Sequence, residues 1–490
     1  MRSLAALLAL PALVIGASSL AAQDAPHIEW SRLEFATRAH DTVAAEMGSI
    51  SVPERRSDPD SRAIALRFIR FPSTAEDPGP PIVYLAGGPG GSGIAAARSS
   101  RFPLFMSLRS VGDVIALDQR GTGLSEPDLE CPGGYQYPLD RPGERERWLA
   151  LAEKAARRCL SAVLEEEIDP LGYTTAESAD DLEDLRKALG AETLSLWGIS
   201  YGTHLALAMI RRHPTSVHRA VLAGVEGPDH TFILPGAQEE HLEFLAALAR
   251  KHPVRARVPD LVTLVDSVMS RLEREPVPVE VPRNEGPPDT VVLGRFDAQL
   301  RTAMMFYSRN WDVPRVYSDM ARGDYSFLAG FMADYRRFQG VGALGLLMEC
   351  ASGGSQDHLA RLRREKSRAA VGAARAFPYP DICRVVYEMV PDLKLNDEFR
   401  APIRSDVPVL FISGTLDGVT PVSNAVEVGR SFSRGRHLII HGAAHSNALF
   451  LSSPRISDRI EDFLAGNYQE TGSLAVPFDF ALPDGEEPGR

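Results

Sequence analysis

The sequence predicts an α/β protein with a mostly parallel central sheet, helices that flank the sheet, and an inserted, mainly helical cap. Short, nearly continuous apolar runs alternate with helix-like segments, which is typical of strands covered by helices on both faces. One of these runs leads into a serine-containing turn that opens a helix. Between about residues 227 and 401 the strand-like runs become scarce and helical patterns dominate, which indicates the cap.

The N-terminus has the pattern of a secretory signal peptide over residues 1–22. Arg2 supplies a positive charge, Leu4–Ile15 is apolar, and small residues follow. Ser19 and Ala21 suit the small-residue positions of a cleavage site. The alternative is a membrane anchor, but the apolar run is too short to span a bilayer comfortably. We therefore expect an exported protein, periplasmic or extracellular, without stable membrane insertion.

Charge excludes some classes of partner. The chain has 490 residues and a formal net charge of −12, with its acidic residues spread along the sequence. Nucleic acid and anionic membranes are poor partners for such a protein. The oligomeric state is not readable from the sequence.

The four cysteines predict two disulfides. An even number of cysteines in an exported chain favours disulfide bonding, and four cysteines allow three connectivities. We favour the pairs that are local in sequence, Cys131–Cys159 and Cys350–Cys383, and the alternative is four buried free thiols. No C-x-x-C spacing indicates a zinc site, so we predict no metal. No cofactor is predicted either.

The candidate strands share an apolar, β-branched composition. They are Gly48–Val52, Ile64–Ile69, Pro81–Leu85, Asp113–Leu117, Leu194–Trp197, Ala220–Ala223, Pro408–Ile412 and His437–Ile440. A capping box at Thr174–Glu177 starts a helix that Gly190 ends, and the proline-rich stretch Pro276–Pro288 is predicted to be a loop. The resulting organisation is a first core part (23–226), a helical cap (227–401), a second core part (402–465) and a tail (466–490).

The strongest functional signal is the G-x-S-x-G motif in Gly198-Ile199-Ser200-Tyr201-Gly202. The apolar run Thr193–Trp197 leads into the motif, and a helix-like stretch, His204–Arg212, follows it. A strand that turns directly into a helix strains the backbone of its central residue and needs small residues on both sides. The motif therefore predicts that Ser200 is a nucleophile held clear of the sheet edge.

A serine nucleophile needs a base and an acid. In α/β-hydrolases, which use this motif, the acid and then the base follow the serine along the chain. Asp417 and His445 each follow a candidate strand and complete the predicted triad. Asp406 is the rival acid, but it precedes its strand. His441 is the rival base, although it ends a strand, and its H-x-x-x-H spacing with His445 would suit a metal only on a helix.

A glycine-rich segment, Gly87–Gly93, follows another candidate strand. Its glycines let backbone N–H groups approach a bound substrate and stabilise the oxyanion of a tetrahedral intermediate. We assign the oxyanion hole to the N–H of Gly88, with Gly87 as the alternative, and to the N–H of Tyr201.

The same glycines match a different motif. Gly88–Gly93 fits the G-x-G-x-x-G fingerprint of dinucleotide-binding proteins, with Asp113 downstream, which makes a nicotinamide oxidoreductase an alternative. Against this alternative, Pro89 removes a donor beside the expected phosphates, and the triad would have no role.

Three segments together resemble the proline iminopeptidase and tripeptidyl aminopeptidase family of α/β-hydrolases: Gly87–Gly93, Asp118–Ser125 and Gly198–Thr203. Pro408–Pro421 and Gly442–His445 are similar to the C-terminal part of that family. The resemblance covers most of the chain and is closer to the secreted tripeptidyl aminopeptidase branch. It implies an α/β-hydrolase fold with a cap, and it implies the triad and oxyanion donors named above.

The resemblance also implies that Asp118 and Arg120 brace loops around the site. Two positions depart from the family pattern. Ala86 stands where proline iminopeptidases usually carry histidine, and Gly418 stands where the tripeptidyl branch often has proline. Both departures weaken a claim to proline specificity and leave the triad intact.

An aminopeptidase must hold the free ammonium group of its substrate with carboxylates near the nucleophile. Glu226 comes just after a candidate strand, at the edge where ligands collect in open α/β sheets, and it is our candidate for substrate binding. Asp229, Glu239, Glu240 and Glu349 are further candidates, each with a solvated surface carboxylate as the alternative.

The sequence thus predicts an exported serine aminopeptidase that cleaves amino acids or short peptides from peptide N-termini through an acyl-enzyme on Ser200. The alternative is a carboxylesterase or lactonase with the same triad, because the fold does not fix the scissile bond. A further alternative is a non-catalytic binding protein, although no triad member is missing. The expected partner is a peptide or a small acyl substrate, and Phe306, Tyr307 and Trp311 either line its pocket or belong to the core.

Overall fold

The structure is a computed structural model that describes residues 27–467 and 470–482. The predicted signal peptide, residues 1–22, lies outside the described residues, as do residues 468–469 and 483–490 of the predicted tail.

The strands and helices alternate along the first and last parts of the chain. The strands are β1 Glu29–Ala36, β2 Thr42–Pro53, β3 Ala63–Phe71, β4 Gly79–Leu85, β5 Gly112–Leu117, β6 Leu194–Ser200, β7 Val217–Val225, β8 Val277–Val281, β9 Asp289–Leu293, β10 Val409–Leu416, β11 Gly435–Ala444 and β12 Gly472–Ala475. The α-helices are α1 Gly93–Ala97, α2 Phe102–Ser107, α3 Arg145–Glu165, α4 Thr175–Ala188, α5 Tyr201–Arg212, α6 Pro235–Ala249, α7 Leu261–Arg274, α8 Arg295–Ser308, α9 Val313–Ala321, α10 Ser326–Arg337, α11 Ala343–Ser352, α12 Gln356–Lys366, α13 Cys383–Met389, α14 Asp397–Arg400, α15 Val422–Gly429, α16 Ala448–Leu451 and α17 Pro454–Leu464. Short 3₁₀ helices cover Leu108–Ser110, Pro170–Gly172, Pro214–Ser216, Pro253–Ala256, Asn310–Asp312, Gly372–Ala374 and Pro391–Leu393.

The main sheet has ten strands in the order β1-β2-β3-β5-β4-β6-β7-β10-β11-β12. The strands β1, β2, β3 and β5 pair antiparallel in that order, and every pair from β5 to β12 is parallel. Because parallel strands end at the same edge, the segments after β4, β6, β7, β10 and β11 meet there. The α/β-hydrolase fold predicted from the sequence is confirmed.

Both faces of the sheet are buried, as the continuous apolar runs predict. On β6, Leu196 packs into the core under one face together with Leu205 of α5. The next residue, Trp197, points to the opposite face, where its ring lies 4.6 Å from that of Tyr84 and also contacts Phe450. This alternation explains why every residue of β6 before the serine is buried.

Seven of the eight predicted strands lie within observed strands, and the eighth, Pro408–Ile412, begins one residue before β10. In the main sheet, β1 and β12 were not predicted. The strand β1 is largely exposed, so its sequence lacks the apolar run on which prediction depended. The strand β12 lies in the predicted irregular tail, residues 466–490, and pairs in parallel with β11, with Leu474 opposite Ile440. The predicted tail therefore forms an edge strand in part. A strand at the edge of the sheet can form with a single buried apolar residue, so its sequence carries no apolar run.

The segment that links β7 to β10 is mainly helical and contains α6 to α14. It also contains the hairpin β8–β9, so the prediction of a loop over Pro276–Pro288 is wrong for its first half. Pro278 lies within β8 opposite Val292, and the alternating Val277, Val279 and Val281 pack against apolar neighbours. A two-stranded sheet tolerates proline because each strand has a free edge.

Thr174 caps the start of α4 as predicted, because its Oγ1 accepts a hydrogen bond from the Glu177 N–H at 3.2 Å. The Glu177 carboxylate does not complete the box. It accepts a hydrogen bond from Arg56 instead, at 2.7 Å, and so ties α4 to the loop after β2.

Candidate active site

Ser200 lies at the junction of β6 and α5 in a strained backbone conformation, with φ 55° and ψ −127°. The turn leaves no room for side chains beside it. A Cβ on Gly202 would lie 2.1 Å from the carbonyl oxygen of Leu85, and a Cβ on Gly198 would lie 2.6 Å from that of Gly202. The motif thus forms the tight strand–helix turn expected from the sequence.

Asp417 and His445 follow the adjacent strands β10 and β11 and lie in contact. Asp417 Oδ2 accepts a hydrogen bond from His445 Nδ1 at 2.8 Å, and Oδ1 accepts from the N–H groups of Val419 and Thr420 at 2.8 and 2.7 Å. Burial acts to raise the pKa of Asp417, but His445 and these hydrogen bonds lower it below its usual value. The ionised carboxylate favours the proton on Nδ1, which leaves Nε2 able to accept one.

Thr420 is a residue of the site that sequence reasoning missed. Its Oγ1 donates a hydrogen bond to Asp417 Oδ2 at 2.7 Å and lies 3.0 Å from His445 Nδ1. The hydroxyl therefore helps to orient both the acid and the base. The only signal in the sequence is its place in the loop that also carries Asp417.

Ser200 and His445 line one cavity of about 660 Å³ at the carboxyl edge of the sheet. This volume suits a small ligand. Within the described residues, the hydrogen bonds of the His445 ring are made by Nδ1, and none joins the ring to Ser200 Oγ. Such bonds commonly tighten only in the complex with substrate. The assignment of Ser200, Asp417 and His445 as a catalytic triad stays a prediction, and their common placement agrees with it.

The rival acid and base lie elsewhere. Asp406 precedes β10 and accepts a hydrogen bond from Ser433 near the amino ends of the strands. His441 is an exposed residue of β11 and is paired with Ala475 of β12. Neither side chain lines the cavity of Ser200.

Gly87 and Gly88 pass close to Ser200 and line the same cavity. A Cβ on Gly87 would lie 3.0 Å from the Ser200 Cβ and 3.7 Å from its Oγ. Gly88 has a φ of 132°, which glycine adopts far more readily than other residues. Tyr201 is the first residue of α5, so its N–H has no carbonyl partner one turn earlier. The assignment of the oxyanion hole to Gly88 and Tyr201 stays a prediction.

Asp118 holds the glycine-rich segment in place. One carboxylate oxygen accepts hydrogen bonds from Ser92 Oγ at 2.6 Å and from the Ile94 N–H at 3.0 Å, and the other accepts from the Leu124 N–H at 2.9 Å. Arg120 makes a buried ion pair with a carboxylate of α4 at 2.6 Å. Both contacts agree with the bracing role that the resemblance implied.

The dinucleotide-binding alternative is wrong. Asp113 stands at the amino end of β5, where its carboxylate accepts a hydrogen bond from the Ser73 N–H at 2.8 Å. The glycine-rich segment follows the carboxyl end of β4, and β4 and β5 are parallel. The two halves of the fingerprint therefore lie at opposite edges of the sheet and cannot hold one dinucleotide.

Two carboxylates from distant parts of the chain line the cavity: Glu226, directly after β7, and Glu349 on α11. Burial and the neighbouring Glu349 raise the pKa of Glu226 well above its usual value, and burial raises the pKa of Glu349 to about 8. His204 Nδ1 lies 3.9 Å from Glu226 Oε1, but burial lowers the His204 pKa to about 4. Within the described residues, neither carboxylate thus pairs with a group that is positively charged at neutral pH.

The other carboxylate candidates have structural contacts and do not line this cavity. Asp229 accepts hydrogen bonds from the N–H and the hydroxyl of Ser355 at 2.7 and 2.6 Å, which fixes the start of α12. Glu239 accepts from the N–H of Gly372 at 2.9 Å. Glu240 lines an adjoining cavity that shares Phe232 and Asn424, among other residues, with the cavity of Ser200.

Among the three aromatic candidates, Tyr307 lines the cavity, and its ring centroid lies 5.1 Å from that of His445. Phe306 is buried in the core beside His241 instead, and Trp311 is partly exposed away from the cavity. Successive residues of a helix point in different directions, so only one of two neighbours reaches the cavity. Aromatic residues that line the cavity without having been predicted are Tyr84, Phe232, Phe377 and Tyr379.

Both predicted disulfides are present, Cys131–Cys159 and Cys350–Cys383. The first ties a loop to α3, and the second ties α11 to α13. Because Cys350 directly follows Glu349, the second disulfide also fixes a wall of the cavity. Disulfides of this kind are typical of exported proteins.

None of the helices in the described part of the chain combines the length and the apolar character that a membrane span requires. That part also contains no group of three or more His, Cys, Asp or Glu residues placed to hold a metal ion.

Known proteins resemble this chain at both of its core parts. Residues 80–275 match the family described as alpha/beta hydrolase fold, and residues 388–473 match the family described as TAP-like protein. Serine protease Hip1 of Mycobacterium tuberculosis is 25% identical over 464 residues, which cover 86% of this chain and 85% of the relative. Tripeptidyl aminopeptidase of Streptomyces coelicolor is 24% identical over 454 residues, which cover 86% of this chain and 80% of the relative. The protein of the same name from Streptomyces lividans is also 24% identical, with 81% of its length covered.

Proposed function

This chain belongs to the α/β-hydrolases and has a TAP-like C-terminal part, and from that premise we propose that it is an exported aminopeptidase. It would release amino acids or short peptides from the N-terminus of peptides through an acyl-enzyme on Ser200. The observation that carries the proposal is the pair of carboxylates, Glu226 and Glu349, in the cavity that Ser200 lines.

The carboxylate pair suits a substrate ammonium group. The Glu226 side chain is only 13% exposed, so water screens its charge poorly. Burial raises the pKa of both carboxyl groups, and each group that ionises makes the cavity more favourable for a cation. A positively charged α-amino group bound between the two carboxylates removes their repulsion and forms charge-assisted hydrogen bonds. A neutral ester would leave this pair without a partner, which favours the peptidase over the esterase alternative.

The geometry suits acyl transfer to serine. His445 Nε2 removes the proton of Ser200 as Oγ attacks the scissile carbonyl, and Asp417 stabilises the positive imidazole that results. The N–H groups of Gly88 and Tyr201 stabilise the negative oxygen of the tetrahedral intermediate. The C–N bond then breaks, and His445 passes its proton to the leaving amine.

Water completes the reaction. The same imidazole removes a proton from a water molecule that attacks the acyl carbonyl, and the proton returns to Ser200 when the ester bond breaks. The products are the released N-terminal part and a regenerated enzyme. The relatives named tripeptidyl aminopeptidase and serine protease support a peptide substrate.

Export is part of the proposal. Residues 1–22 have the pattern of a signal peptide, and two disulfides suit an oxidising compartment. We place the mature protein in the periplasm or outside the cell.

The test compares amide and ester substrates on the purified mature protein. Aminoacyl and tripeptidyl anilides are offered with free and with acetylated N-termini, beside a short-chain nitrophenyl ester. We expect cleavage of the free-amine anilides and a loss of at least 100-fold on acetylation, because the ammonium contacts are lost. Ser200→Ala should abolish cleavage of every substrate.

Two variants connect the result to the carboxylate pair. Glu226→Gln should lower kcat/KM for free-amine anilides by about 10- to 100-fold, the size of a lost charged hydrogen bond. Glu243→Gln, at an exposed position of α6 that lines neither this cavity nor the adjoining one, is the matched control and should behave as the wild type. Cleavage of the ester alone would overturn the aminopeptidase proposal, and cleavage of free and acetylated anilides at equal rates would overturn the role of the carboxylates.

A further inference from the structure

Arg375 is a cation of the active-site cavity that the proposed reaction does not use. It lines the same cavity as Ser200 and Glu226, in the segment that follows the short helix Gly372–Ala374. Its Nη1 donates one hydrogen bond, to the carbonyl oxygen of Ala303 at 3.2 Å. Its Nε is buried and has no hydrogen-bond partner. Within the described residues no carboxylate forms an ion pair with this guanidinium.

The environment of Arg375 acts on its charge. Burial disfavours the charged form and lowers the Arg375 pKa from its usual value, with Asp417 and Tyr307 acting in the opposite direction. The guanidinium nevertheless stays charged at neutral pH, because arginine does not lose its proton in proteins. A buried, charged and incompletely bonded group of this kind is satisfied by an anion that enters the cavity.

The position of Arg375 relative to the predicted base identifies which part of the substrate it meets. Ala303 and Tyr307 lie one turn apart on the same face of α8. The bond from Arg375 to the Ala303 carbonyl therefore places the guanidinium next to Tyr307, whose ring contacts His445. In the proposed reaction His445 protonates the leaving amine. Arg375 consequently lies on the leaving side of the cavity.

The backbone that carries Arg375 is held in place before any substrate binds. Glu239 of α6 accepts hydrogen bonds from the N–H groups of Val371 and Gly372, each at 2.9 Å. A Cβ on Gly372 would lie 2.3 Å from the carbonyl oxygen of Pro235, so the segment packs directly on the start of α6. A site fixed in this way binds an anion with little ordering cost.

The two charged ends of the cavity also lie a limited distance apart. Tyr379, four residues after Arg375 in the chain, lines the cavity and interacts electrostatically with Glu349. Four extended residues span at most about 14 Å, and hydrogen bonds from Phe377 and Tyr379 to residues 374 and 376 fold this segment to less than that. The backbone positions of Arg375 and of Tyr379, the neighbour of Glu349, thus lie within the length of a short peptide of each other.

We infer that Arg375 binds a carboxylate on the leaving part of the substrate, so that the enzyme prefers short peptides held at both ends. The ammonium group lies at Glu226 and Glu349, and the carboxylate lies at Arg375. The carboxylate is the C-terminal α-carboxylate of a peptide of about two to four residues, or an acidic side chain just after the scissile bond. This inference rests on the proposed function.

The test uses peptides that differ only in their leaving-side carboxylate. The N-terminal part X is the amino acid or the tripeptide that the anilide series favours. We compare kcat/KM for three peptides: X-Ala as the free acid, X-Ala-amide and X-Asp-amide. A second series adds one alanine before the C-terminus of each peptide. In the wild type the free acid should exceed the amide by about 10- to 100-fold. Recovery by X-Asp-amide would identify the acidic side chain as a second source of the carboxylate.

The arginine variants assign the preference to one residue. Arg375→Gln should bring the ratio of free acid to amide close to 1, and Arg375→Lys should keep part of it, because lysine supplies charge without the fork geometry. Arg301→Gln is the matched control. Arg301 is also a half-buried arginine of the inserted segment, it lies over Phe327 and Phe331, and it does not line the cavity. A general loss of folding would lower both rates and leave the ratio unchanged.

A measurement without turnover completes the test. Calorimetric titration of Ser200→Ala protein with X-Ala and X-Ala-amide should give tighter binding of the free acid, and Arg375→Gln in that background should remove the difference. A wild-type ratio near 1 overturns the inference while cleavage of free-amine anilides still supports the aminopeptidase. Failure to cleave the peptides and the anilides alike would overturn the proposed function itself.

Discussion

Thr420 Oγ1 donates a hydrogen bond to Asp417 Oδ2 at 2.7 Å. The Thr420 hydroxyl thereby orients the Asp417 carboxylate, which in turn binds His445 Nδ1. Thr420→Val keeps the shape of the side chain and removes this bond. We expect kcat to fall about 10-fold with little change in KM, since one hydrogen bond to a charged group is lost. Thr420→Ser should restore most of the rate, and steady-state kinetics on the favoured anilide measure both effects. Equal kcat for wild type and Thr420→Val would exclude a positioning role.

Asp417 and Asp406 are the two acids that the sequence offers near β10, and the structure places them at opposite ends of that strand. Asp417→Asn should lower kcat by about 10⁴-fold, because an amide favours the wrong tautomer of the histidine. Asp406→Asn, matched in chemistry, should leave kcat within about twofold of the wild type. The assignment fails if the second variant is the inactive one.

Gly202 has no space for a side chain, since a Cβ there would lie 2.1 Å from the Leu85 carbonyl oxygen. Gly202→Ala should therefore destabilise the fold by about 3 kcal/mol or more, or prevent folding. Gly330 on α10 has nothing within 4 Å of an added Cβ, so Gly330→Ala should instead stabilise by about 0.5–1 kcal/mol. Chemical denaturation of both variants measures these changes, and equal effects would contradict the close packing of the turn.

The raised pKa values of Glu226 and Glu349 predict a pH-dependent substrate affinity. Glu349 titrates at about 8 in the folded protein and has an ordinary value of 4.5. Glu349 is about half ionised at pH 8 and gains charge as pH rises through that value, whereas a peptide amino group loses its proton above about 8. We expect kcat/KM for free-amine peptides to peak near pH 8. In Glu349→Gln the peak should move to lower pH, because Glu226 loses its charged neighbour, and its height should fall about 10-fold.

The same carboxylates should cost stability at alkaline pH. Glu349 has a higher pKa in the folded protein, about 8, than its ordinary value of 4.5 in the unfolded chain. As pH rises through this range, the unfolded chain loses the proton first, so the free energy of unfolding decreases. Glu349→Gln removes this loss, so its Tm should exceed that of the wild type at pH 8 and differ less at pH 5. Thermal unfolding at both values measures the difference. A lower Tm of the variant at pH 8 would contradict this prediction, because it would mean that the ionised Glu349 side chain stabilises the fold.

Local signals in the sequence determined most of the catalytic geometry. The turn around Ser200 is set by its neighbours, because Gly198 and Gly202 are the residues that a close strand–helix turn requires. Asp417 and His445 could be selected because each comes directly after an apolar run, and parallel strands end at one edge. The cysteine pairs were found because each pair closes a short loop.

Only the tertiary structure decided which distant residues share the cavity. Glu349 lies on α11 and Arg375 lies in the turn after the short helix Gly372–Ala374. The packing of these segments has no simple period in the sequence, so a charged residue that lines the cavity could not be distinguished from one at the surface. Phe306 and Tyr307 are neighbours in sequence, yet α8 turns one into the core and the other towards His445. The strand β12 depends on the free edge of β11, which no local pattern indicates. The sequence by itself determined the fold and the common placement of the candidate triad through short-range sterics and strand order, whereas the packing of the inserted helices decided which charged residues line the cavity.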